Sequence, residues 1–263
     1  MLTANSCFES DCSCKTARIH LPVADVCNAN CYYCAFRKSG NISSQAMPGH
    51  SRFIPRGSQQ IEQYLAERMK LLPECTLIGV SGPGDILSST AQLRELVEVI
   101  SKPPYHKIDG CICTNGWDFF SASSILEQWS TMKYITVTIN TLQPCECGNI
   151  YIHPTADEAF FAKKIAAQKA LLQWAAERKI LLKINTVLSE FNTQSVLDTW
   201  NELREIAPIH IFNLIQMQGQ PMTAERRAGL SAAYREIMNQ AEAAGFNLKH
   251  NCRHCRADSY GRW

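Results

Sequence analysis

Three cysteines near the start of the chain have the spacing of a metal-binding loop. Residues 27 to 34 read Cys-Asn-Ala-Asn-Cys-Tyr-Tyr-Cys, so Cys27, Cys31 and Cys34 form a CxxxCxxC motif with an aromatic residue before the last cysteine. Three thiolates from one loop can bind three irons of a [4Fe–4S] cluster and leave the fourth iron open to a small molecule. The alternative is a zinc site, which normally takes four ligands and uses CxxC pairs. The spacing and the aromatic residue favour the cluster.

The composition also indicates metal chemistry in a reducing compartment. The chain has 263 residues and 13 cysteines, an odd number that cannot all pair within one chain. We see no basic start followed by an apolar run, and no stretch approaches the roughly 18 consecutive apolar residues of a membrane span. We therefore expect a cytoplasmic protein whose clustered cysteines bind metal or take part in catalysis. The net charge is only +2, so neither nucleic acid nor a membrane is an expected partner.

Apolar runs of strand length alternate with segments of helical period from residue 17 onward. We predict strands at residues 18–24, 76–80, 108–113, 134–139, 180–187 and 209–215. We predict helices after a capping Ser58, over 93–100, 157–178 and 196–206, and over 230–241 with Gly245 as the C-cap. This alternation, without a Pro/Ser/Gly-rich linker, predicts one α/β domain with a parallel sheet, as in a barrel or an open partial barrel. A doubly wound sheet is the alternative, but a GxGxxG phosphate motif after the first strand is missing.

Polar and glycine residues follow several predicted strands. In barrel-like α/β folds, functional residues gather at the carboxyl ends of the strands. The residues at such positions are Gly82, Gly84 and Asp85 in one turn, and Asn115, Asn140 and Asn185 at later strand ends. A lone asparagine at a strand end is more often a turn residue than a ligand-binding one, so both interpretations stay open for the three asparagines.

The CxxxCxxC motif just after the first strand resembles that of the radical S-adenosylmethionine (SAM) enzymes. The resemblance implies a partial (β/α)6 barrel in which the open iron chelates SAM and an electron from the cluster cleaves it to a 5′-deoxyadenosyl radical. It also implies that Tyr33 lies near the adenine, and Gly82, Gly84 and Asp85 near the methionine amino group. Asn115, Asn140 and Asn185 would then face the ribose or the carboxylate.

Longer blocks of sequence resemble the NifB family of nitrogenase cofactor-maturation proteins. The blocks are Arg18–Ala24 before Cys27, Gly82–Asp85, Thr114–Gly116, Ile135–Asn140 and Cys252–Asp258. They extend over nearly the whole chain and resemble the stand-alone form, without a NifX-like domain. We expect a single radical SAM domain, with an N-terminal cysteine-bearing segment at 1–16, the barrel at 17–245 and a CxxC tail at 246–263.

The resemblance implies a particular reaction. Two auxiliary [4Fe–4S] clusters would be condensed into an eight-iron cluster with a central carbide, with one SAM supplying a methyl group and another the radical that removes hydrogen from it. The expected partners are cluster donors, an electron donor and a carrier or acceptor protein. Two alternatives stay open. One is a radical SAM enzyme that acts on a peptide or small molecule, and the other is an Fe–S carrier that does not cleave SAM.

The remaining cysteines only partly match the family's auxiliary sites. Cys7, Cys252 and Cys255 match the ligands of one auxiliary cluster, with a zinc knuckle as the alternative for the CxxC pair. At the other site only Cys111 matches, since Ser13 occupies the family's histidine position and no cysteine follows Arg37-Lys38. The departures suggest a divergent homologue that serves a nitrogenase or a nitrogenase-like reductase.

Surplus cysteines suggest how the altered site is completed. Our hypothesis is that thiolates alone rebuild it, one from each of three pairs: Cys12 or Cys14, Cys111 or Cys113, and Cys145 or Cys147. Cys111 and Cys113 are two residues apart on a predicted strand and therefore point to the same face. The alternative is that these cysteines are small buried hydrophobic residues. We expect Cys75 to be a core residue, and the Lys163-Lys164 and Arg226-Arg227 pairs to be solvated helix faces.

Overall fold

The computed structural model describes residues 8, 17–34, 54–80, 82–217 and 222–249. Six parallel strands form one sheet in which the spatial order is the chain order. The strands are β1 (Arg18–Leu21), β2 (Leu77–Val80), β3 (Asp109–Thr114), β4 (Met132–Thr138), β5 (Leu181–Leu188) and β6 (Ile209–Gln216). Within the described residues β1 and β6 are the two edges of the sheet, which confirms the predicted α/β class and the open, partial barrel.

Seven α-helices are described between and after the strands. They are α1 (Gly57–Leu71), α2 (Thr90–Ile100), α3 (Phe119–Leu126), α4 (Pro144–Ile150), α5 (Glu158–Glu177), α6 (Val196–Ile206) and α7 (Ala224–Ala243). Short 3₁₀ turns cover Ile86–Ser88 and Tyr105–Lys107. In the described part of the chain, no helix is both long enough and apolar enough to cross a membrane.

Local sequence signals explain several helix ends. Asp157 caps α5, because its side chain accepts a hydrogen bond from the Phe160 N–H at 2.8 Å. Gly245, predicted as a C-cap, lies just past α7 with a φ of 74°, a left-handed conformation that glycine adopts readily. The prediction that Ser58 caps α1 was wrong. Arg56 occupies the N-cap position, and the Ser58 hydroxyl instead donates to Glu98 at 3.0 Å.

Other predicted boundaries differ by a few residues. Strand β1 ends at Leu21 rather than at residue 24, because Pro22 has no N–H to continue the ladder. Helices α3 and α4 were not predicted. Both are short, and α4 begins with Pro144 at its first position, where the missing N–H costs no helical hydrogen bond.

The two faces of the sheet pack differently. One face carries Ile112, Ile135 and Leu182, which are buried in a large core with apolar residues of the helices. The opposite face, called here the inner face, carries Leu77, Cys111 and Tyr134, which form a smaller buried cluster. Because side chains alternate along a strand, this split follows directly from the alternating sequence of the strands.

Phe8 covers the amino-terminal half of the inner face. Its side chain is 0% exposed and its ring centroid lies 5.0 Å from that of Tyr134. The Lys183 ammonium lies 5.4 Å from the centre of the Phe8 ring, and the His210 ring nitrogen Nε2 is 2.8 Å from the Phe8 carbonyl oxygen. Phe8 is therefore anchored on the inner face of the sheet by residues of β4, β5 and β6.

We expect Phe8→Ala to lower the free energy of unfolding by about 3 kcal/mol, because it removes a fully buried ring. Phe120→Ala is the matched control. Its side chain is 65% exposed, so we expect a change within about 0.5 kcal/mol. Denaturant unfolding of the full chain measures both values. Equal effects of the two substitutions would contradict the anchoring role of Phe8.

Candidate functional site

The cysteine loop, residues 25–34, crosses the carboxyl ends of the strands and is held on both sides by backbone hydrogen bonds. On one side, the Gly84 N–H donates to the Ala24 carbonyl at 2.9 Å and the Asp85 N–H donates to the Val26 carbonyl at 2.7 Å. These bonds join the loop to the turn that follows β2.

On the other side, the loop pairs with the end of α4. The Tyr32 N–H donates to the Ile150 carbonyl at 2.9 Å, and the Ile152 N–H donates to the Asn30 carbonyl at 3.0 Å. Asn30 has a φ of 51°, a left-handed conformation that asparagine tolerates better than most residues. The loop is thus held at both ends by the backbone of other segments, namely the turn after β2 and the end of α4.

Gly84 is required by the close approach of the two segments. A Cβ atom at this position would lie 2.1 Å from the Val26 carbonyl oxygen, so no other residue fits without moving the cysteine loop. Gly82 lies in the same turn with a φ of 40°. The sequence predicted that Gly82 and Gly84 lie near the methionine amino group of SAM. The structure brings their turn to the cysteine loop, and the contact with SAM stays a prediction.

The three thiols of the loop form one electrostatic group. Burial, together with the charges of Cys27 and Cys34, raises the pKa of the Cys31 thiol to about 12. Such thiols lose their protons readily only when a cation takes up the thiolate charge, which is what an iron cluster does. Among the described residues, no three Cys, His, Asp or Glu side chains could hold a single metal ion. Three thiols from one loop match the donor set of a [4Fe–4S] cluster with one open iron, whereas a structural zinc site takes four ligands.

Asn115 reaches the loop from the end of β3. Its side-chain amide Nδ2 lies 3.6 Å from the Cys27 sulfur and donates to the Asn28 side-chain oxygen at 3.3 Å. Its own oxygen accepts from the Trp117 N–H at 2.8 Å. Asn115 was predicted to face SAM. The structure places it beside the first cysteine of the motif, and contact with SAM stays a prediction.

Asp85 has an internal role that the sequence did not show. The buried carboxylate accepts from the Leu87 N–H at 3.0 Å, from the Thr114 hydroxyl at 2.8 Å and from the Asn115 N–H. Burial raises the pKa of this carboxyl to about 6. Both oxygens are used within the protein, so Asp85 links the turn after β2 to the end of β3. The predicted contact with the amino group of SAM is untested.

Asn140 is fully buried, and its predicted contact with the ribose or the carboxylate of SAM stays a prediction. Its Nδ2 donates to the Tyr33 hydroxyl at 2.6 Å and to the Tyr151 hydroxyl at 3.1 Å, and its oxygen accepts from the Val187 N–H at 2.9 Å. With these bonds made, the amide is turned into the protein. Asn140 therefore positions the Tyr33 hydroxyl.

Tyr33 lies beside the second cysteine of the motif. Burial of its hydroxyl raises its pKa well above the ordinary value, and the neighbouring Cys31 raises it further. The hydroxyl therefore stays protonated, and a side-chain hydrogen bond joins it to Cys31. Its predicted contact with adenine stays a prediction.

Asn185, on β5, was predicted to face SAM and is paired with Asn213 of β6. The Asn213 amide donates to the Asn185 side-chain oxygen at 2.8 Å. Sequence reasoning missed Asn213. A polar residue inside the apolar run of β6 was the signal that could have revealed it.

Two charged residues that were predicted to lie on solvated helix faces also contact acidic side chains that bind the cysteine loop. Arg226 is exposed, as predicted, and Lys164 is partly buried. Lys164 pairs with Asp118 at 3.2 Å, and Asp118 also accepts from the Asn28 side chain. In the same way, Arg226 pairs with Glu190.

Glu190 accepts in turn from the Tyr32 hydroxyl at 3.2 Å. Asp118 and Glu190 were also missed by the sequence reasoning. The local sequence around an acidic residue near a strand end does not indicate which loop its side chain contacts.

The remaining cysteines are only partly brought together. Cys111 and Cys113 share the inner face of β3, whereas Cys145 is exposed and Cys147 is buried in the larger core on α4. The unpredicted helix α4 turns Cys147 toward the core, and the rebuilt site stays a prediction. Cys75 is buried, as predicted. The other predicted ligands lie outside the described residues: Cys7, Cys12, Cys14, Cys252 and Cys255.

Curated relatives are similar to the chain over nearly its whole length. It is 28% identical over 268 residues to the "FeMo cofactor biosynthesis protein NifB" of Methanocaldococcus infernus, covering 99% of this chain and 86% of the relative. It is 27% identical over 262 residues to the protein of the same name from Methanocaldococcus jannaschii, covering 97% and 85%. For the protein of Azotobacter vinelandii the identity is 24% over 271 residues, covering 97% of this chain and 52% of the relative. No protein-family model matches the sequence.

Solved structures show the fold. SuiB of Streptococcus suis bound to S-adenosylmethionine superposes with a TM-score of 0.60 at 14% identity, covering 92% of this chain and 52% of SuiB. The FeFe-hydrogenase maturase HydG of Carboxydothermus hydrogenoformans gives 0.54 at 13% identity, covering 93% and 56%. The chain is a NifB-like protein with the radical SAM fold. In this NifB-like chain the cysteine loop, the turn after β2 and the ends of β3 to β6 form the candidate site.

We expect Gly84→Ala to displace the cysteine loop, because the added methyl group meets the Val26 backbone. The free energy of unfolding should fall by about 1–3 kcal/mol, and less iron should bind after anaerobic reconstitution. Gly229→Ala on α7 is the matched control. It has nothing within 4 Å of its new Cβ, so it should be neutral or stabilising by about 0.5–1 kcal/mol. Full iron binding by Gly84→Ala would contradict the close-approach argument.

Proposed function

We propose that this NifB-like chain is a radical SAM enzyme that assembles the iron–sulfur precursor of a nitrogenase or nitrogenase-like cofactor. Two observations support this function. The three thiols of the cysteine loop meet the strand ends of a radical SAM fold, and the whole-length relatives are named FeMo cofactor biosynthesis proteins. The position of the three thiols supports the binding of an iron–sulfur cluster and SAM. The similarity to the named relatives supports the nature of the product.

The residues of the chain have defined tasks in this proposal. Cys27, Cys31 and Cys34 would hold the SAM-binding [4Fe–4S] cluster, which together with SAM supplies a 5′-deoxyadenosyl radical when reduced. Asn140 keeps Tyr33 oriented beside Cys31, since its amide is bonded to the Tyr33 hydroxyl at 2.6 Å.

The finer proposal is NifB-type chemistry. The substrates are two [4Fe–4S] clusters, and the product is an eight-iron cluster with a central carbide formed by SAM-dependent methyl transfer and hydrogen abstraction. Cys7, Cys252 and Cys255 are the proposed ligands of one substrate cluster. The partners are Fe–S cluster donors, an electron donor and a carrier or acceptor protein, with neither nucleic acid nor membrane involved.

Two other functions make different predictions. A cluster carrier needs thiol ligands but no glycine turn beside an open iron. Here the turn approaches the cysteine loop so closely that a Cβ atom on Gly84 would meet the Val26 backbone. A peptide-modifying enzyme is the other candidate, since the fold is shared with SuiB, which has been solved bound to its precursor peptide SuiA. The products formed from SAM separate all three functions.

The test is incubation of reduced, anaerobically reconstituted full-length protein with SAM alone. We expect both 5′-deoxyadenosine and S-adenosylhomocysteine without any organic substrate. Cys31→Ala should abolish 5′-deoxyadenosine formation because it removes a cluster ligand. Cys75→Ala is the control, since this buried cysteine lies outside the cysteine loop and should leave product formation intact.

Each other outcome contradicts part of the proposal. The absence of 5′-deoxyadenosine with the wild type, or its formation by Cys31→Ala, would contradict the radical SAM assignment. Formation of 5′-deoxyadenosine without S-adenosylhomocysteine would contradict the NifB-type methyl transfer and favour the peptide or small-molecule enzyme.

A further inference from the structure

Tyr151 lies directly opposite the second cysteine of the motif. The two backbone hydrogen bonds between the cysteine loop and the end of α4 make Cys31 and Tyr151 the partners of an antiparallel bridge. Because these bonds are made by the flanking residues, the bridge is a non-hydrogen-bonded pair, whose Cα atoms lie about 4.5 Å apart. The side chains of such a pair point to the same side. The Tyr151 ring and the Cys31 sulfur are therefore neighbours, a contact that sequence reasoning missed.

Aromatic packing holds the Tyr151 ring in place. The residue is 3% exposed, and its ring centroid lies 4.6 Å from that of Trp117 at an angle of 64°. A second ring, that of Phe161, lies 6.3 Å away between centroids. Aromatic pairs prefer edge-to-face arrangements of the kind made with Trp117. The Tyr151 hydroxyl is thus held at one place beside the cysteine loop.

Asn140 determines how the hydroxyls of two tyrosines are used. Its side-chain oxygen accepts from the Val187 N–H at 2.9 Å, and since a backbone N–H can only donate, the orientation of the amide is fixed. The amide nitrogen then faces the Tyr33 hydroxyl at 2.6 Å and the Tyr151 hydroxyl at 3.1 Å. An amide nitrogen donates and does not accept. Both hydroxyl oxygens therefore accept from Asn140, and each keeps its own proton for another acceptor.

The Cys31 sulfur is the acceptor that lies beside both hydroxyls. A side-chain hydrogen bond joins Tyr33 to Cys31, and the charge of Cys31 acts on the Tyr151 hydroxyl. Among the residues that the structure describes, the Tyr151 hydroxyl has no hydrogen-bond partner besides Asn140. A thiolate accepts more strongly than a thiol because it is charged. Iron binding, which replaces the Cys31 proton, therefore strengthens the bond from Tyr33 and provides the acceptor that Tyr151 lacks.

We propose that Tyr33 and Tyr151 donate hydrogen bonds to the Cys31 thiolate of the SAM-binding [4Fe–4S] cluster, with Asn140 as their positioning residue, and thereby raise its reduction potential. The inference rests on the proposed function for the presence of this cluster. Hydrogen bonds to cluster sulfurs set the reduction potential. The reduced cluster carries one more negative charge, so the two donors stabilise it more than the oxidised cluster. The electron comes from the electron donor of the proposed function, and both protons stay on the tyrosine oxygens.

Tyr33→Phe and Tyr151→Phe test the proposal, because each removes one hydroxyl and keeps the ring. The measurement is a redox titration of the full-length, anaerobically reconstituted protein, followed by EPR in the absence of SAM. We expect the ratio of reduced to oxidised cluster at a fixed potential to fall about threefold in each variant. In the double variant it should fall about tenfold, which is a shift of ~59 mV to lower potential for one electron. The iron content should not change.

Tyr105→Phe is the matched control. Tyr105 is also buried and its hydroxyl donates to the Glu62 carbonyl at 3.3 Å, but it lies on the 3₁₀ turn before β3, at the amino-terminal edge of the sheet. The variant removes the same group away from the cysteine loop. We expect a reduction potential equal to that of the wild type. Denaturant unfolding checks that all the variants are folded.

Asn140→Ala tests the positioning role, because it removes the amide that directs both hydroxyls. We expect a lower reduction potential in the single variant, and Asn140→Ser replaces it if the alanine variant is unfolded. In the background of the tyrosine double variant the same substitution should cause no further shift, since Asn140 acts through the two hydroxyls. A merely structural role would lower the free energy of unfolding without this dependence on the tyrosines. A further shift in the triple variant would overturn the positioning role.

An unchanged reduction potential in the tyrosine double variant overturns the inference, and so does an equal shift in Tyr105→Phe. Loss of iron from the double variant also overturns it, because the hydroxyls would then be needed for cluster binding rather than for the potential. A wild type that binds no cluster overturns both this inference and the proposed function. Shifted potentials in a protein that forms no S-adenosylhomocysteine contradict the NifB-type reaction alone.

Discussion

The structure depends on the contact between the cysteine loop and the turn after β2. The Gly84 and Asp85 N–H groups donate to carbonyls of the loop, and the Gly84 Cα lies so close to Val26 that no side chain fits between them. Since backbone groups rather than flexible side chains make this contact, the position of Cys27 relative to the sheet is determined by the fold. The other end of the loop is held in the same way against α4.

Around this contact, polar side chains at the strand ends bind to one another and to the loop. Asp85 joins the turn after β2 to the end of β3, and Asn140 joins the end of β4 to Tyr33 and to the last residues of β5. Each is buried, and each uses its polar atoms within the protein. Their physical role is to keep the thiols in one arrangement before any cluster binds, so that little reorganisation accompanies binding.

The sequence predicted the class of fold and the metal-binding loop well, and the roles of the polar residues poorly. The six strands were found because apolar alternation is a local property, and the motif at Cys27 was found because its ligands lie within one loop. The buried position of Asn140 could not be predicted because a side chain at a strand end has the same local sequence whether it faces a ligand or the core. The ion pair of Arg226 could not be predicted because its partner, Glu190, is distant in the sequence.

In the proposed function, the three thiols of the cysteine loop hold an iron–sulfur cluster whose open iron binds SAM. EPR spectroscopy of the reduced, anaerobically reconstituted protein, recorded before and after addition of SAM, tests it most directly. We expect a [4Fe–4S] signal that changes on addition of SAM. We expect that change to be lost in a variant with alanine at Cys27, Cys31 and Cys34. A signal that does not respond to SAM, or an unaltered response in the triple variant, would contradict the binding of SAM to a cluster held by these thiols.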